Sequence, residues 1–408
     1  MRIFKKWFMT VLFSLFMINS VMANGLNLNS VGARALGMGG AFVGLADDPT
    51  AIFWNPAGLS GQNTNLMFFV TDVMPYGSYK LDNDDRNIHI DAKTKTNHYV
   101  SPNIFFNYAM GDWSFGLGIF VPAGLGVEWN GEDINFLTFL PNAPLYDWKS
   151  KIGAYNFSPA VSYSINEKFS IGVALNIYYA MFEMDRMAAN LSQYSEESTG
   201  TGFGATIGLK YNINDKISLG LSYRTPVNVS MDGTATYSNR LSTTEKDLKR
   251  DVTWPTWVGG GMAIHISEKW VVTLDAQYTN WAEFQNLITD YTESGTTEAD
   301  TALMDWDDAI QYRVGTEYRF SDSFAGRLGY YYDPAPAPNS TLTILFPSST
   351  NNVITGGFSY TGSSIYADLG IEYLFGSERV ADYSGTNMAG THQMDVFAFS
   401  IGVGYVFK

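Results

Sequence analysis

The chain has 408 residues, no cysteine, 25 basic against 40 acidic side chains and a formal net charge of −15. A hydrophobic share of 46% excludes a disordered chain, and the acidic balance, which repels phosphates, argues against nucleic acid as a partner. Without cysteine there is no disulfide framework, thiol nucleophile, iron–sulfur cluster or cysteine-ligated zinc.

Residues 1–23 read as a cleaved secretory signal peptide. Arg2, Lys5 and Lys6 precede an uncharged, mainly apolar run from Trp7 to Ile18, and Val21-Met22-Ala23 stands at the cleavage offsets. Removal of this segment takes away three cations and no anions, which makes the mature chain more acidic still. Beyond Ala23 nothing approaches the roughly 18 uninterrupted apolar residues of a membrane helix. An exported chain of this kind that sits in a membrane does so as a β-barrel.

Residues 24–63 do not alternate. Ser30 to Leu59 is rich in glycine and alanine, and Asp47-Asp48-Pro49 has the form of a helix start with proline at an early position. A compact piece of this composition ahead of a barrel reads as a plug, or hatch, inside the lumen.

From residue 64 onward the chain alternates with period two. Apolar faces run through Phe169/Ile171/Val173/Leu175/Ile177/Tyr179, Ile217/Leu219/Leu221/Tyr223, Trp270/Val272/Leu274/Ala276/Tyr278, Tyr312/Val314/Tyr318/Phe320 and Phe397/Phe399/Ile401/Val403/Tyr405/Phe407. Short polar turns stand at Gly111-Asp112, Asn166-Glu167, Asn214-Asp215, Ser267-Glu268, Ser321-Asp322 and Gly362-Ser363. Long polar segments lie near 80–95, 125–149, 186–199, 232–249, 284–306, 335–349 and 376–393. Six short turns alternating with seven long loops join 14 antiparallel strands. The fold expected is all-β: a 14-stranded antiparallel transmembrane β-barrel over 64–408, with seven long extracellular loops and a small N-terminal helical hatch over 24–63.

Three groups of residues within this frame are candidates for function. Pro102, Pro122 and Pro159 fall in the second to fourth strands, where proline cannot donate to the ladder; Pro102 and Pro122, with Gly124, mark a candidate lateral opening. The loop 125–149 carries Phe136, Leu137, Phe139, Leu140 and Trp148, too apolar for an ordinary solvated loop, and is a candidate external groove for a hydrophobic ligand or a cap on the barrel mouth. Period two places Arg313, Arg319 and Arg327 on the inward face together with Asp275, Glu317, Asp368 and Glu372. With Arg34 of the hatch, these arginines are candidates to bind a carboxylate through paired hydrogen bonds, against the alternative of a self-neutralising network.

Ala46-Asp-Asp-Pro-Thr-Ala-Ile-Phe-Trp-Asn-Pro-Ala-Gly-Leu59 closely resembles the hatch motif of the FadL family of outer-membrane transporters of long-chain fatty acids and other hydrophobic compounds. Phe120-Val-Pro-Ala-Gly-Leu125, Thr253-Trp-Pro255, Leu274-Asp-Ala-Gln-Tyr-Thr-Asn-Trp281, Tyr312-Arg-Val-Gly-Thr-Glu-Tyr318 and Arg327-Leu-Gly-Tyr-Tyr-Tyr-Asp-Pro334 extend the likeness over the mature chain. The resemblance implies a plugged 14-stranded barrel in the outer membrane that passes hydrophobic molecules without energy input and releases them sideways through a gap in its wall. Asn55, Pro56, Ala57 and Gly58 match the family's hatch motif and are the implied gate residues.

Catalysis is not expected: His89, His98, His265 and His392 are scattered without metal-ligand spacing, and no nucleophile elbow or phosphate loop appears. No metal or cofactor is expected either. The leading reading is passive uptake of long-chain fatty acids by a monomer in contact with outer-membrane lipid and lipopolysaccharide. Uptake of aromatic or other nonpolar hydrocarbons is the alternative within the same fold, and a structural or adhesive surface protein is the alternative outside it.

Overall fold

The computed structural model describes residues 25–137 and 144–407. The signal peptide expected over residues 1–23, and Phe139 and Leu140 of the candidate groove, lie outside the described residues.

One sheet holds every strand: β1 (Asn65–Asn83), β2 (Ile88–Lys93), β3 (Tyr99–Met110), β4 (Trp113–Trp129), β5 (Trp148–Ser164), β6 (Phe169–Met187), β7 (Gln193–Asn214), β8 (Ile217–Arg224), β9 (Val227–Ser238), β10 (Thr243–Trp254), β11 (Trp257–Ser267), β12 (Trp270–Thr279), β13 (Asn286–Glu293), β14 (Thr296–Leu303), β15 (Ala309–Arg319), β16 (Phe324–Asp333), β17 (Asn351–Thr361), β18 (Ile365–Gly376), β19 (Arg379–Ala381) and β20 (Gly390–Val406). Fourteen of them form the wall: β1, β3 to β8, β11, β12, β15 to β18 and β20, each antiparallel to its neighbours. β20 returns to pair with β1 from Asn65↔Val406 to Lys80↔Thr391, which closes the barrel.

The wall is stable in a bilayer because its alternation has two solvents. Leu274, Leu219, Leu221, Ile171, Val173 and Leu175 point outward and are exposed, while Thr273, Asp275, Gln277, Ser218 and Ser222 of the same strands are buried in the lumen. Exposed Tyr108, Trp113, Tyr211, Trp270, Phe320, Phe324 and Tyr405 cluster near the end where every connection is short, and Tyr76, Tyr155, Tyr179, Tyr223 and Tyr312 near the opposite end. These are the two interfacial girdles of a membrane barrel.

The connections at the far end differ from those expected. The segments near 186–199 and 232–249 are not long loops: β6 and β7 meet across residues 188–192, and β9 and β10 across 239–242. β9 and β10 prolong β8 and β11 beyond interruptions at Thr225-Pro226 and Pro255-Thr256, and stay paired with β7 and with each other. The polar segment near 284–306 is likewise mostly a hairpin, β13–β14. Their outer faces carry hydroxyls and charges in place of the apolar residues of the wall strands, while Val229, Met231, Leu248, Val252 and Leu287 are buried on the inner face.

Inside the barrel lie α1 (Ala33–Gly37), α2 (Ala51–Trp54) and a 3₁₀ turn, Pro56–Leu59. The turn before α2 is set by Asp48, whose Oδ1 accepts from the Thr50 backbone N–H at 2.8 Å. Such short helices leave most of their backbone groups unsatisfied, and wall side chains complete them. Asp275 accepts from the Val43 N–H at 2.8 Å; Arg313 donates to the Gly39 carbonyl at 2.8 Å and Gln277 to that of Gly40 at 3.0 Å. Ser218 donates to the Gly44 carbonyl at 2.8 Å, and Ser170 to that of Ala57 at 2.9 Å.

Glycine makes this approach possible. A Cβ on Gly172, Gly208, Gly220, Gly315, Gly329 or Gly370 would run into hatch atoms, at Pro56, Asn55, Val43, Met38, Gly39 and Ala33 respectively. The hatch is thus seated backbone to backbone on a ring of wall glycines.

Two large apolar clusters divide the lumen, beside a small one of Tyr331, Val353 and Leu374. The lower one joins the hatch to the wall through Phe42, Phe53, Trp54, Phe105, Phe120 and Trp257. The upper one fills the mouth with Trp129, Trp148, Trp254, Trp281, Trp306 and Phe346.

Candidate functional site

Between β3 and β4 the ladder stops. Pairing runs from Met110↔Trp113 up to Ile104↔Ile119 and no further. Above that point Tyr99–Asn103 pairs with β1 but not with β4, and β4 from Ala123 onward pairs with β5 but not with β3. Farther up the wall is joined again by the Thr94↔Trp129 bridge and by the Lys95 N–H bonded to the Glu128 carbonyl at 2.7 Å. The result is a window, bounded below by Ile104 and Ile119 and above by Thr94 and Trp129.

Its cause is local. Phe120 pairs with Asn156 and Ala123 with Ala154, so Val121 and Pro122 form a two-residue bulge opposite Tyr155. Pro122 has no N–H to offer β3, and the Val121 N–H is taken at 2.9 Å by the side-chain oxygen of Asn103. The N-terminal segment supplies the missing partner from inside: the Leu28 N–H reaches the Pro122 carbonyl at 3.1 Å and the Gly124 N–H the Leu26 carbonyl at 2.9 Å. Asn27 and Ala123 form the bridge between them.

A cavity of about 500 Å³ lies at this window. Its inner wall includes Leu36, Asp333 and Glu372, and its rim includes Val100, Val121, Gly124 and Tyr155. Val100 and Tyr155 are exposed on the outer face, so the cavity reaches from the lumen through the wall to the lipid-facing surface. Such a volume suits one small molecule, lipid tail or aromatic.

The candidate residues fall in several places. Pro122 and Gly124 border the window, and Pro102 lies on the opposite strand, outward-facing and paired with Val70. Pro159 pairs with Leu117 below the window, and the β5–β6 register continues past it. Asn55, Pro56, Ala57 and Gly58 do not line the cavity. Asn55 donates to the Leu209 carbonyl on β7 at 3.0 Å, and the Ala57 carbonyl accepts from Ser162 and Ser170, which fixes this turn on β5 to β7. The segment bordering the window is instead Leu26–Leu28, which the sequence marks by no motif.

Phe136, Leu137 and Trp148 do not form an exposed groove. Leu137 and Trp148 are buried in the mouth cluster, and Phe136 packs edge-on to Trp148 at 5.9 Å. They cap the mouth with Trp281 and Trp306, whose rings meet at 5.1 Å.

The arginines divide three ways. Arg34 bonds Asp47 at 2.5 Å and Glu317 at 2.8 Å, and Arg327 bonds the same Glu317 at 2.6 Å and Asp368 at 3.0 Å, an internally paired network that joins hatch to wall. Arg313 is held by the Gly39 carbonyl and by Gln311 at 2.6 Å, with its guanidinium over the Tyr331 ring. Arg319 does not face the lumen: β15 ends there, and the side chain is exposed beside the Lys269 turn. Two buried arginines were missed. Arg250 bonds Glu196 at 2.6 Å inside the β7–β10 extension. Arg224 closes β8, continuing the inward series Ser218, Gly220, Ser222, and that parity is the signal that would have found it.

A family model described as outer membrane protein transport protein (OMPP1/FadL/TodX) matches residues 14–407. The Salmonella typhi long-chain fatty acid transport protein is 24% identical over 410 residues, covering 86% of this chain and 87% of that one. A Pseudomonas aeruginosa FadL homologue superposes with a TM-score of 0.79 at 17% identity, covering 94% of this chain and all of that one. The Pseudomonas putida toluene transporter TodX superposes at 0.73 with 18% identity and the same coverage. At these identities the superpositions establish the shared barrel fold.

Proposed function

The chain belongs to the outer membrane protein transport family (OMPP1/FadL/TodX), and from that premise we propose that it carries long-chain fatty acids inward across the outer membrane by diffusion. Ligand enters at the long-connection end, crosses the lumen above the hatch, and leaves sideways through the window between β3 and β4. The observation that carries this reading is the cavity joining lumen to lipid-facing surface where the ladder is broken. An apolar solute is driven along such a path because each methylene left in water costs about 0.8 kcal/mol. Release into the bilayer plane spares the hydrocarbon the polar lumen below, which the hatch fills. The chain acts as a monomer whose girdles contact lipid and lipopolysaccharide.

A second reading, passage of aromatic or other neutral hydrocarbons, is favoured by one feature of the cavity. Its inner wall presents the buried carboxylates of Asp333 and Glu372, and its basic residues, Lys151 and His98, are already paired with Glu183 and Asp72.

Labelled oleate and labelled toluene given to cells that lack the gene, and to the same cells after its return, separate the two. Restored oleate uptake of at least fivefold is expected. Restored toluene uptake with unchanged oleate would transfer the function to hydrocarbons, and no change in either would remove the transport reading.

A further inference from the structure

The cavity at the window has a polar end that a purely apolar solute leaves unused. Glu372 lines it from β18 and is only 6% exposed. Its carboxylate joins none of the ion pairs among the described residues, and it accepts from the Ser30 hydroxyl at 3.3 Å, long for an O–H···O bond. Arg313, the cation that acts on it, is committed to the Gly39 carbonyl, to Gln311 and to the Tyr331 ring. Ser348 and Ser349, in the connection before β17, also line the cavity. Both are buried, and neither hydroxyl oxygen has a hydrogen-bond partner.

The apolar end follows from strand register. Glu372 pairs with Ala398 of β20, Ala398 with Val73 of β1, and Val73 with Tyr99 of β3. One pleat higher, Leu374, Val396 and Pro75 form a second such row. Directly paired residues share a face of the sheet, and every residue of both rows lines the cavity. From Glu372 to Tyr99 is three strand spacings, about 14 Å, so an apolar strip leads from the polar end to the window.

The polar end selects a head group. An ionised carboxylate offers acceptors alone and would lie against the carboxylates of Glu372 and Asp333. A hydrocarbon that displaces water there leaves polar groups without partners. A hydroxyl both donates and accepts, so it answers Glu372 and a serine together. We propose that the cavity is a binding site for long-chain alcohols, with the O–H donated to Glu372 and the chain laid along Ala398 and Val73 toward the window. This ligand class goes beyond the fatty-acid reading, and its test in purified protein is independent of oleate uptake by cells.

Binding of oleyl alcohol and of its methyl ether, which keeps the oxygen and loses the donor, is measured on the full-length protein in detergent. Wild type is expected to bind the alcohol at least tenfold more tightly than the ether. Glu372→Leu should weaken the alcohol at least tenfold and the ether less than twofold. The double variant Ser348→Ala with Ser349→Ala, which removes hydroxyls that bond nothing in the protein, should fold normally and weaken the alcohol at least threefold. In competition, oleate should displace the bound alcohol at least tenfold less effectively than unlabelled alcohol does. Equal affinity of wild type for alcohol and ether, or a preference that survives Glu372→Leu, would overturn the proposal. So would undiminished binding by the serine variant, equal displacement by oleate, or no binding of the alcohol at all. If Glu372→Leu does not fold, judged by heat-modifiable mobility, the wild-type ratio, the serine variant and the competition decide.

Discussion

Replacing Glu317 by alanine is expected to destabilise the barrel by about 3–5 kcal/mol, because it leaves buried cations short of a partner. Both Arg34 and Arg327 bond to its oxygen Oε2, and Arg34 adds a second bond to Oε1 at 3.1 Å. The three side chains are almost wholly buried, where water cannot replace the lost carboxylate. Arg34 retains Asp47 and Arg327 retains Asp368, which is why the loss stays near the range for breaking one pair. Because Arg34 belongs to α1 and Glu317 to the wall, the change also loosens the hatch. Urea unfolding in liposomes, followed by tryptophan fluorescence, measures the first effect, and limited proteolysis of the N-terminal segment the second. The double replacement Arg34→Met with Glu317→Leu should recover most of the loss, since it removes charge from both sides. A loss under about 1 kcal/mol for Glu317→Ala would show that the network is not what seats the hatch.

Gly220→Val is expected to convert a closed barrel into a leaking one. Any side chain at Gly220 meets the backbone of Val43 and the side chain of Asn55, so the hatch must move off the wall. The obstacle is main chain, which cannot swing aside as the end of a long side chain can. The displaced segment gives up hydrogen bonds from Asn55 to Leu209 and from Ser218 to Gly44. Wild-type protein in planar bilayers is expected to carry almost no ionic current. The variant should show discrete pores, and cells expressing it should become at least tenfold more sensitive to large polar antibiotics. A folded Gly220→Val protein that remains electrically silent would mean that the hatch tolerates a new docking position.

The barrel was legible in the sequence because lipid on one side and lumen on the other impose period two on every wall strand. Leu274 against Asp275 and Tyr312 against Arg313 show this at its clearest. Where that contrast lapses, so does the reading. Thr243–Asp247 is all hydroxyl and charge, and its strand character comes from pairing with β9; only from Leu248 onward does one face become buried. Arg319 has inward parity, but the wall ends beneath it; periodicity continues past a boundary that burial does not. Of the three prolines, only Pro122 coincides with the break in the ladder between β3 and β4. What holds the break open, Asn103 on β3 and Leu26–Leu28 of the N-terminal segment, is a matter of three-dimensional partners.

Substrate that leaves through the window must pass Leu26–Leu28, which bonds to β4 there. Asn27 and Ala123 are bridge partners on antiparallel segments, at a non-hydrogen-bonded pair where Cα atoms lie about 4.5 Å apart and a disulfide can form. The chain has no cysteine of its own, so the pair Asn27→Cys with Ala123→Cys introduces the only cross-link possible. Oleate uptake by cells carrying this double variant should fall at least fivefold when oxidised and return on reduction, with either single variant unaffected. Full uptake with the cross-link verified would contradict lateral exit between β3 and β4.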